Sequence, residues 1–454
     1  MKKIGIVFLL SVLSSFALFG QNVNEFEFTI NGSGNARTVT ITGYTGTERN
    51  IRIPERINGV PVTVIGKWAF YQKSGRDHPI PFAASAPNWT RGLLRPPNPW
   101  TDVQRREAGL ISVVIPNTVK IIEEEAFAIN ALTSVTIPNS VTEIGRGAFK
   151  FNLLTRIDLS NSVTEIGEGA FRDNQLTRVD IPSSIKEIQV EVFKNNKLTS
   201  VTIPNSVTHI FQSAFANNQL TGISIPNSVI WLAGFEGNQI RSLTIPNSVT
   251  EVRNYAFWGN QLANITIPPN VIRIYDSAFA DNQLVTVTLQ NGLQDIDGGA
   301  FAGNRINNVT FPNSIRYLGM QAFANNQLTN VSVPPNCSLS SRVFENNRLT
   351  SVQMTSVSLG RFGNNFINNP MTTITIPSNT THLDTDAFDN MPLNTIVIGA
   401  NVIIWAENWE EARRNSGWAP NQETMNGFAH YYYQNGKRGG RYTFSSGRWN
   451  YSVS

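Results

Sequence analysis

Charge is scarce in this chain of 454 residues: 15% of it is Asp, Glu, Lys or Arg, and 36 basic against 32 acidic residues leave a formal charge of +4. A long coiled coil needs more charge than this, and a disordered chain carries fewer apolar residues than the 41% present. So small a basic excess is no footprint of a nucleic-acid binder, which would cluster Lys and Arg on one face. Cysteine is nearly missing. Cys337 stands alone, which excludes an internal disulfide and a structural zinc site. No glycine-rich phosphate loop, metal-binding His pair or nucleophile elbow occurs, so no cofactor and no metal is expected. Asp384-x-Asp386-x-x-Asp389 and Asp295-x-Asp297-Gly298-Gly299 are fragments of a calcium loop and read as coil corners.

Long apolar runs are also few. Lys2 and Lys3 precede an apolar stretch over residues 4–10, followed by a less apolar one that ends at Gly20. Residues 1–20 read as a secretory signal peptide, interrupted by serines and short of the ~20 apolar residues of a spanning helix. No second stretch of spanning length follows. The mature chain is expected to be exported, without a transmembrane segment, to the cell surface or the medium, with the periplasm left open.

What the chain has in abundance is repetition. A unit such as residues 198–219 recurs about every 22 residues, most visibly in Phe127, Phe149, Phe171, Phe193, Phe215, Phe235, Phe257, Phe279, Phe301, Phe323, Phe344, Phe366 and Phe388. One gap of 20 and one of 21 break the spacing. Asn follows the Phe by three residues from Asn130 to Asn369. In Leu198-x-x-Val201-x-Ile203 the apolar residues alternate as a half-buried strand requires, and Pro204 ends it. Val207, Ile210, Ala214 and Phe215 point inward again, and the Asn column reads as a buried ladder whose amides satisfy backbone groups at a corner. One coil of this size cannot bury its own apolar residues, so the coils must stack.

The period Leu-x-x-Val-x-Ile-Pro-x-Ser-Val-x-x-Ile-Gly-x-x-Ala-Phe-x-x-Asn resembles the bacterial BspA-like leucine-rich repeats. The likeness runs nearly continuously over residues 53–398, with residues 53–70 similar to the longer first repeat of that family. It implies a β-rich leucine-rich repeat solenoid of 22-residue coils with a parallel sheet on one face. It also implies adhesion to host matrix or plasma proteins such as fibronectin and fibrinogen, or to other bacteria.

Three segments lie outside the repeat. Residues 21–52 hold two alternating runs, 26–30 and 38–42, that read as a β-hairpin capping the first coil. Residues 71–110 form a proline-rich insertion whose prolines would remove ladder donors, so it reads as a projecting loop with Trp89 and Trp100 as a possible partner contact. Residues 111–399 are the solenoid proper. Residues 400–454 crowd aromatics together, with helical composition over 407–414 and 423–433 and a hairpin in which Tyr442 and Phe444, and Trp449 and Tyr451, share a face. The tail reads as a small α+β cap, or alternatively as a glycan-binding module that uses Trp449 and Tyr451.

The strand positions of successive coils form one surface of Ser, Thr and Asn, and such surfaces are where repeat proteins bind. Arg156, Asp158, Arg178 and Asp180, next to Ser200 and Thr202, are its one patch with both signs and the preferred recognition spot; the alternative is that the four charges pair with each other. A second column holds Glu143, Glu165, Glu187, His209, Trp231, Glu251, Arg273, Asp295 and Tyr317, read as solvent-screened. His209 and His382 are eight coils apart and His78 and His430 lie outside the array, so no triad is expected. The expected function is therefore non-enzymatic binding of a protein or glycoprotein partner. The alternative is a cell-wall or glycan-binding protein with the solenoid as spacer.

Overall fold

The computed structural model describes residues 22–71, 109–354, 364–376, 380, 382–384, 391–400, 402–405 and 425–453. The leader, the insertion with Trp89 and Trp100, Phe388, Asp386, Asp389 and the helical stretch at 407–414 lie outside them.

The chain is a parallel β-solenoid of about 14 turns with coils of about 22 residues. The Phe column forms one stack through its core. From Phe70 to Phe366 successive rings are 4.9–6.0 Å apart and within 2–22° of parallel. Phe70 sits directly on Phe127 at 4.9 Å, so residues 72–108 interrupt the chain between two adjacent coils.

The asparagine column is buried from Asn130 to Asn369. Each Nδ2 donates to the Phe carbonyl of its own coil and, at 2.8–3.0 Å, to that of the preceding coil. Each Oδ1 accepts, at 2.9–3.1 Å, the backbone N–H that opens the preceding coil's strand. These are backbone groups at a bend, where no ladder partner is in reach, and leaving one buried and unpaired costs about 1–3 kcal/mol.

Two ladders run along the solenoid. The Leu-x-x-Val-x-Ile segment, where the sequence places the strands, pairs in short sections: Arg178–Asp180 with Ser200–Thr202, Asn264–Ile267 with Thr286–Leu289, Asn330–Val333 with Ser351–Met354. Proline limits how far a pairing can extend, because it has no N–H to give to the coil before it. The four-residue pairings occur only where the later coil carries Gln290 or Thr355 in the usual place of proline. The proline instead opens the corner, its carbonyl accepting from the residue three further on, as in Val207 N to Pro204 O at 3.1 Å. The longer ladder lies past that corner, at two-residue strands from Glu187–Ile188 to Ser338–Leu339, eight strands in unbroken parallel order. Its N-terminal continuation ends at Glu165–Ile166, which is not paired with Glu187–Ile188.

The caps close different ladders. Phe26–Asn31 pairs antiparallel with Thr38–Tyr44, which lies parallel on Val60–Ile65 at the start of the second ladder. At the other end, Gly440–Ser445 pairs antiparallel with Thr395–Ile398 on the first ladder and with Arg448–Ser452, beside the helix Met425–Gln434.

Each coil turns through a left-handed residue two after its Phe. Ten coils place Asn, Asp or Gly there, from Asp173 to Asn368, but the first two carry Ile129 (φ 58°) and Phe151 (φ 56°). The coil with the 20-residue spacing loses two residues between ladder and core, and Gly234 (φ 91°) cuts the corner. A Cβ on Gly234 would lie 2.5 Å from the Phe211 carbonyl oxygen. In the space left by the shortened loop, Glu236 Oε1 accepts a hydrogen bond from Ser213 Oγ while Oε2 is buried without a partner. Burial raises the Glu236 carboxyl above its ordinary range, with nearby Glu191 adding to the shift and the Ser213 bond and Lys194 opposing it.

Four stability outcomes follow from these positions. Asn218→Ala leaves the buried Leu198 N–H unpaired and takes a donor from two Phe carbonyls, so urea unfolding should show a loss of about 2–4 kcal/mol. The isosteric Asn218→Asp should lose at least as much at neutral pH, since it turns a carboxylate toward carbonyl oxygens. Phe151→Asn relieves left-handed strain on a large side chain and should raise the melting temperature, with a gain of about 1 kcal/mol. Because the folded-state pKa of Glu236 is raised, its unfavourable contribution is absent below its unfolded value near 4.3, grows as pH rises above that value and is complete above the folded pKa. Glu236→Gln should therefore melt higher than the parent at pH 7, with the difference closing toward pH 4; a gap independent of pH would rule out this account.

Candidate functional site

Two residues after each outward side chain of the second ladder comes a position where four coils have glycine, at Gly66, Gly145, Gly167 and Gly319. At Gly145, Gly167 and Gly319 the N–H donates to the preceding coil at 2.7 Å. A Cβ there would sit 2.5–2.7 Å from backbone atoms of that coil. Phe211, Arg253, Tyr275 and Asp297 occupy the same position in nearby coils, and their N–H bonds lengthen to 2.8–3.0 Å. The side chains at this position meet the outward column His209, Trp231, Glu251 and Arg273.

The result is an ordered cluster of rings and guanidinium groups. Arg253 lies over Trp231 at 4.0 Å and over Tyr275 at 3.9 Å, and Arg273 lies over Tyr275 at 4.7 Å. His209, Phe211 and Trp231 have ring centroids 5.9–6.2 Å apart. Carboxylates lock the arrangement. Arg253 Nη1 donates to Glu251 Oε2 at 2.8 Å, Tyr275 Oη donates to Glu251 Oε1 at 3.2 Å, and Arg273 binds both oxygens of buried Asp297 at 2.9 and 3.1 Å. The Asp297 hydrogen bond, aided by its charge and working against burial, raises the Arg273 pKa further above its ordinary value. Asp295 and Asp297 thus stand on the ladder around Ile296 and not at a coil corner, and Asp297 is taken by an arginine.

The recognition spot read from the sequence lies on the other ladder. Arg156 Nε donates to Asp158 Oδ1 at 2.9 Å and Arg178 Nη2 to Asp180 Oδ1 at 3.0 Å, each pair within its own coil. Their side chains are 68–77% exposed, where such pairs contribute about 0–1 kcal/mol. Arg178 and Asp180 are in register with Ser200 and Thr202, which are also exposed.

In the C-terminal cap Trp449 is buried against Phe428 and Phe444, at 5.1 and 5.4 Å. Tyr451 packs on the buried Tyr442 at 5.1 Å and donates its hydroxyl to the Gly439 carbonyl. Burial, with Tyr432 and Tyr451 adjacent, pushes the Tyr442 hydroxyl up to about 12. Cys337 is buried, and desolvation beside Asp295 pushes its thiol to about 12, far from the range of a nucleophile. Among the described residues no group of three or more His, Cys, Asp or Glu could hold a metal ion, and no helix is long and apolar enough to cross a membrane.

Comparison with known proteins agrees with this architecture. The model of the BspA type leucine rich repeat region matches residues 106–221, 209–327 and 294–409. A leucine rich cell surface protein of Faecalibacterium prausnitzii has a similar structure, with 24% identity and a TM-score of 0.50 over 87% of this chain and 98% of the other. The pneumococcal vaccine antigen PcpA shares 18% identity with a TM-score of 0.48 over 86% and 95% of the two chains. A leucine-rich repeat protein of Bacteroides ovatus shares 17% with a TM-score of 0.44 over 81% and 94%. No curated protein matches the chain. With the repeat model matched over most of its length and the predicted columns in place through Phe366 and Asn369, the chain belongs to the BspA-type leucine-rich repeat family.

Proposed function

We propose that this is an exported, non-enzymatic binding protein that recognises a protein or glycoprotein partner, and that the cluster around Trp231, Arg253 and Tyr275 is its main contact. The observation that carries this reading is the set of large side chains gathered in one place on the second ladder. Glycine gives the closest coil contact on the second ladder, yet in the coils around this cluster the position holds Phe211, Arg253, Tyr275 and Asp297 at the expense of longer ladder bonds. Together with Trp231 of the outward column these side chains include the residue types that dominate protein interfaces, Trp, Tyr and Arg, held against one another before any partner arrives.

The leucine rich cell surface protein with the similar fold supports a location at the surface or in the medium. Adhesion to host matrix or to other cells is the corresponding role. Arg156, Asp158, Arg178 and Asp180 on the first ladder remain a second contact candidate, weaker because their charges already pair. The glycan-binding alternative loses force from the burial of Trp449 and Tyr442.

Purified protein assayed on immobilised fibronectin and fibrinogen tests this reading. Trp231→Ala and Tyr275→Ala, with unchanged circular dichroism, should each weaken binding at least about tenfold, the loss of one strong contact residue. Arg156→Ala with Arg178→Ala should change it less than threefold. The opposite ranking would move the site to the first ladder, and loss only on truncation after Ile398 would move it to the cap.

A further inference from the structure

We infer that the site around Trp231 and Tyr275 takes a carboxylate side chain of a protein partner on the free edge of Arg253; this rests on the reading that the cluster is the contact surface. The Arg253 guanidinium carbon lies 4.0 Å from the Trp231 ring centre and 3.9 Å from the Tyr275 ring centre, which directs a ligand to the N–H groups at the edge of the guanidinium plane. In that plane Nη1 is used by Glu251, while no acceptor among the described residues takes Nε or Nη2. Arg273, by contrast, has two of its N–H groups committed to Asp297 in a two-point bond. Two parallel N–H groups on a fixed, planar cation match the two oxygens of a carboxylate, and a lone carbonyl would fill one of them. The ring contacts have already removed the side-chain freedom that binding would otherwise have to remove.

The charges nearby decide which anion fits. Glu251 balances Arg253, Asp297 balances Arg273, and Glu187 and Asp295 stand on the same ladder column. A sulfated or phosphorylated polymer would place further negative charge against these carboxylates. A single Asp or Glu flanked by apolar side chains meets the free donors, with Phe211 and Trp231 alongside for its neighbours.

Selection of a random 12-residue peptide library displayed on phage against the full chain, followed by anisotropy titration of the recovered peptides, tests the inference. The expected peptides contain Asp or Glu, lose at least about tenfold in affinity when that residue becomes Asn or Gln, and lose as much on Arg253→Gln, with Arg253→Lys failing to restore it. Peptides that are lost on Trp231→Ala but bind Arg253→Gln normally would overturn the carboxylate assignment and leave the contact surface standing. Recovery only of peptides indifferent to Trp231→Ala, or of none, would overturn the surface itself. Competition by heparin at the Arg253 site stronger than by the acidic peptides would give the site to a polyanion and end the proposal.

Discussion

The primary amide of the buried asparagine is the interaction on which the rest of this solenoid depends. A coil that bends back on itself leaves backbone N–H and C=O groups at its corners with no ladder partner, and here a single side chain supplies donors and an acceptor together. Aspartate has no donor when ionised, and serine is too short to reach both coils. Because two of the amide's bonds run to the preceding coil, it ties adjacent coils at a fixed distance and thereby sets the spacing of the phenylalanine stack. That anchoring accounts for the tolerance of the shortened coil: Asn238 still reaches the Phe215 carbonyl and the Leu220 N–H, and Phe235 still stacks at 5.3 Å.

Sequence alone reveals the columns that repeat one residue type. Phe and Asn recur with a period so regular that stacking is the only way to bury them, and the family resemblance, the solenoid, the capping hairpin and the terminal hairpin all emerge from pattern. The second ladder stays hidden for a physical reason. Its strands are two residues long, too short for an alternating pattern to show, and they exist because neighbouring coils stack and not because of local propensity. Reading strands only into the Leu-x-x-Val-x-Ile segment therefore finds the ladder that pairs in short sections.

The site shows the same limit. His209, Trp231, Glu251 and Arg273 are visible as one column, but their partners Phe211, Arg253, Tyr275 and Asp297 lie at a position where the residue type changes from coil to coil, so no column marks it. The available signal was the absence there, in consecutive coils, of the glycine found at Gly145 and Gly167. Arg156, Asp158, Arg178 and Asp180 attract attention in sequence because opposite charges recur, yet recurrence of opposite charges within one coil is also what makes them satisfy each other in solvent.

Core and surface are separable in this architecture, which bears on where a site can arise. Asparagine amides and phenylalanine rings hold each coil to the next from the inside, so the second ladder can lengthen from 2.7 to 3.0 Å at Arg253 without the coils parting. A globular core has no such freedom, since a bulky side chain forced between close backbones displaces everything behind it. Here the displacement is absorbed within one hydrogen bond, and the inserted side chains are then fixed by each other: rings over guanidinium groups, guanidinium groups on carboxylates. Rigidity at the cluster comes from its own contacts and from a backbone held elsewhere, which is the condition under which a surface patch can be shaped for a partner while the coils beneath it keep their period.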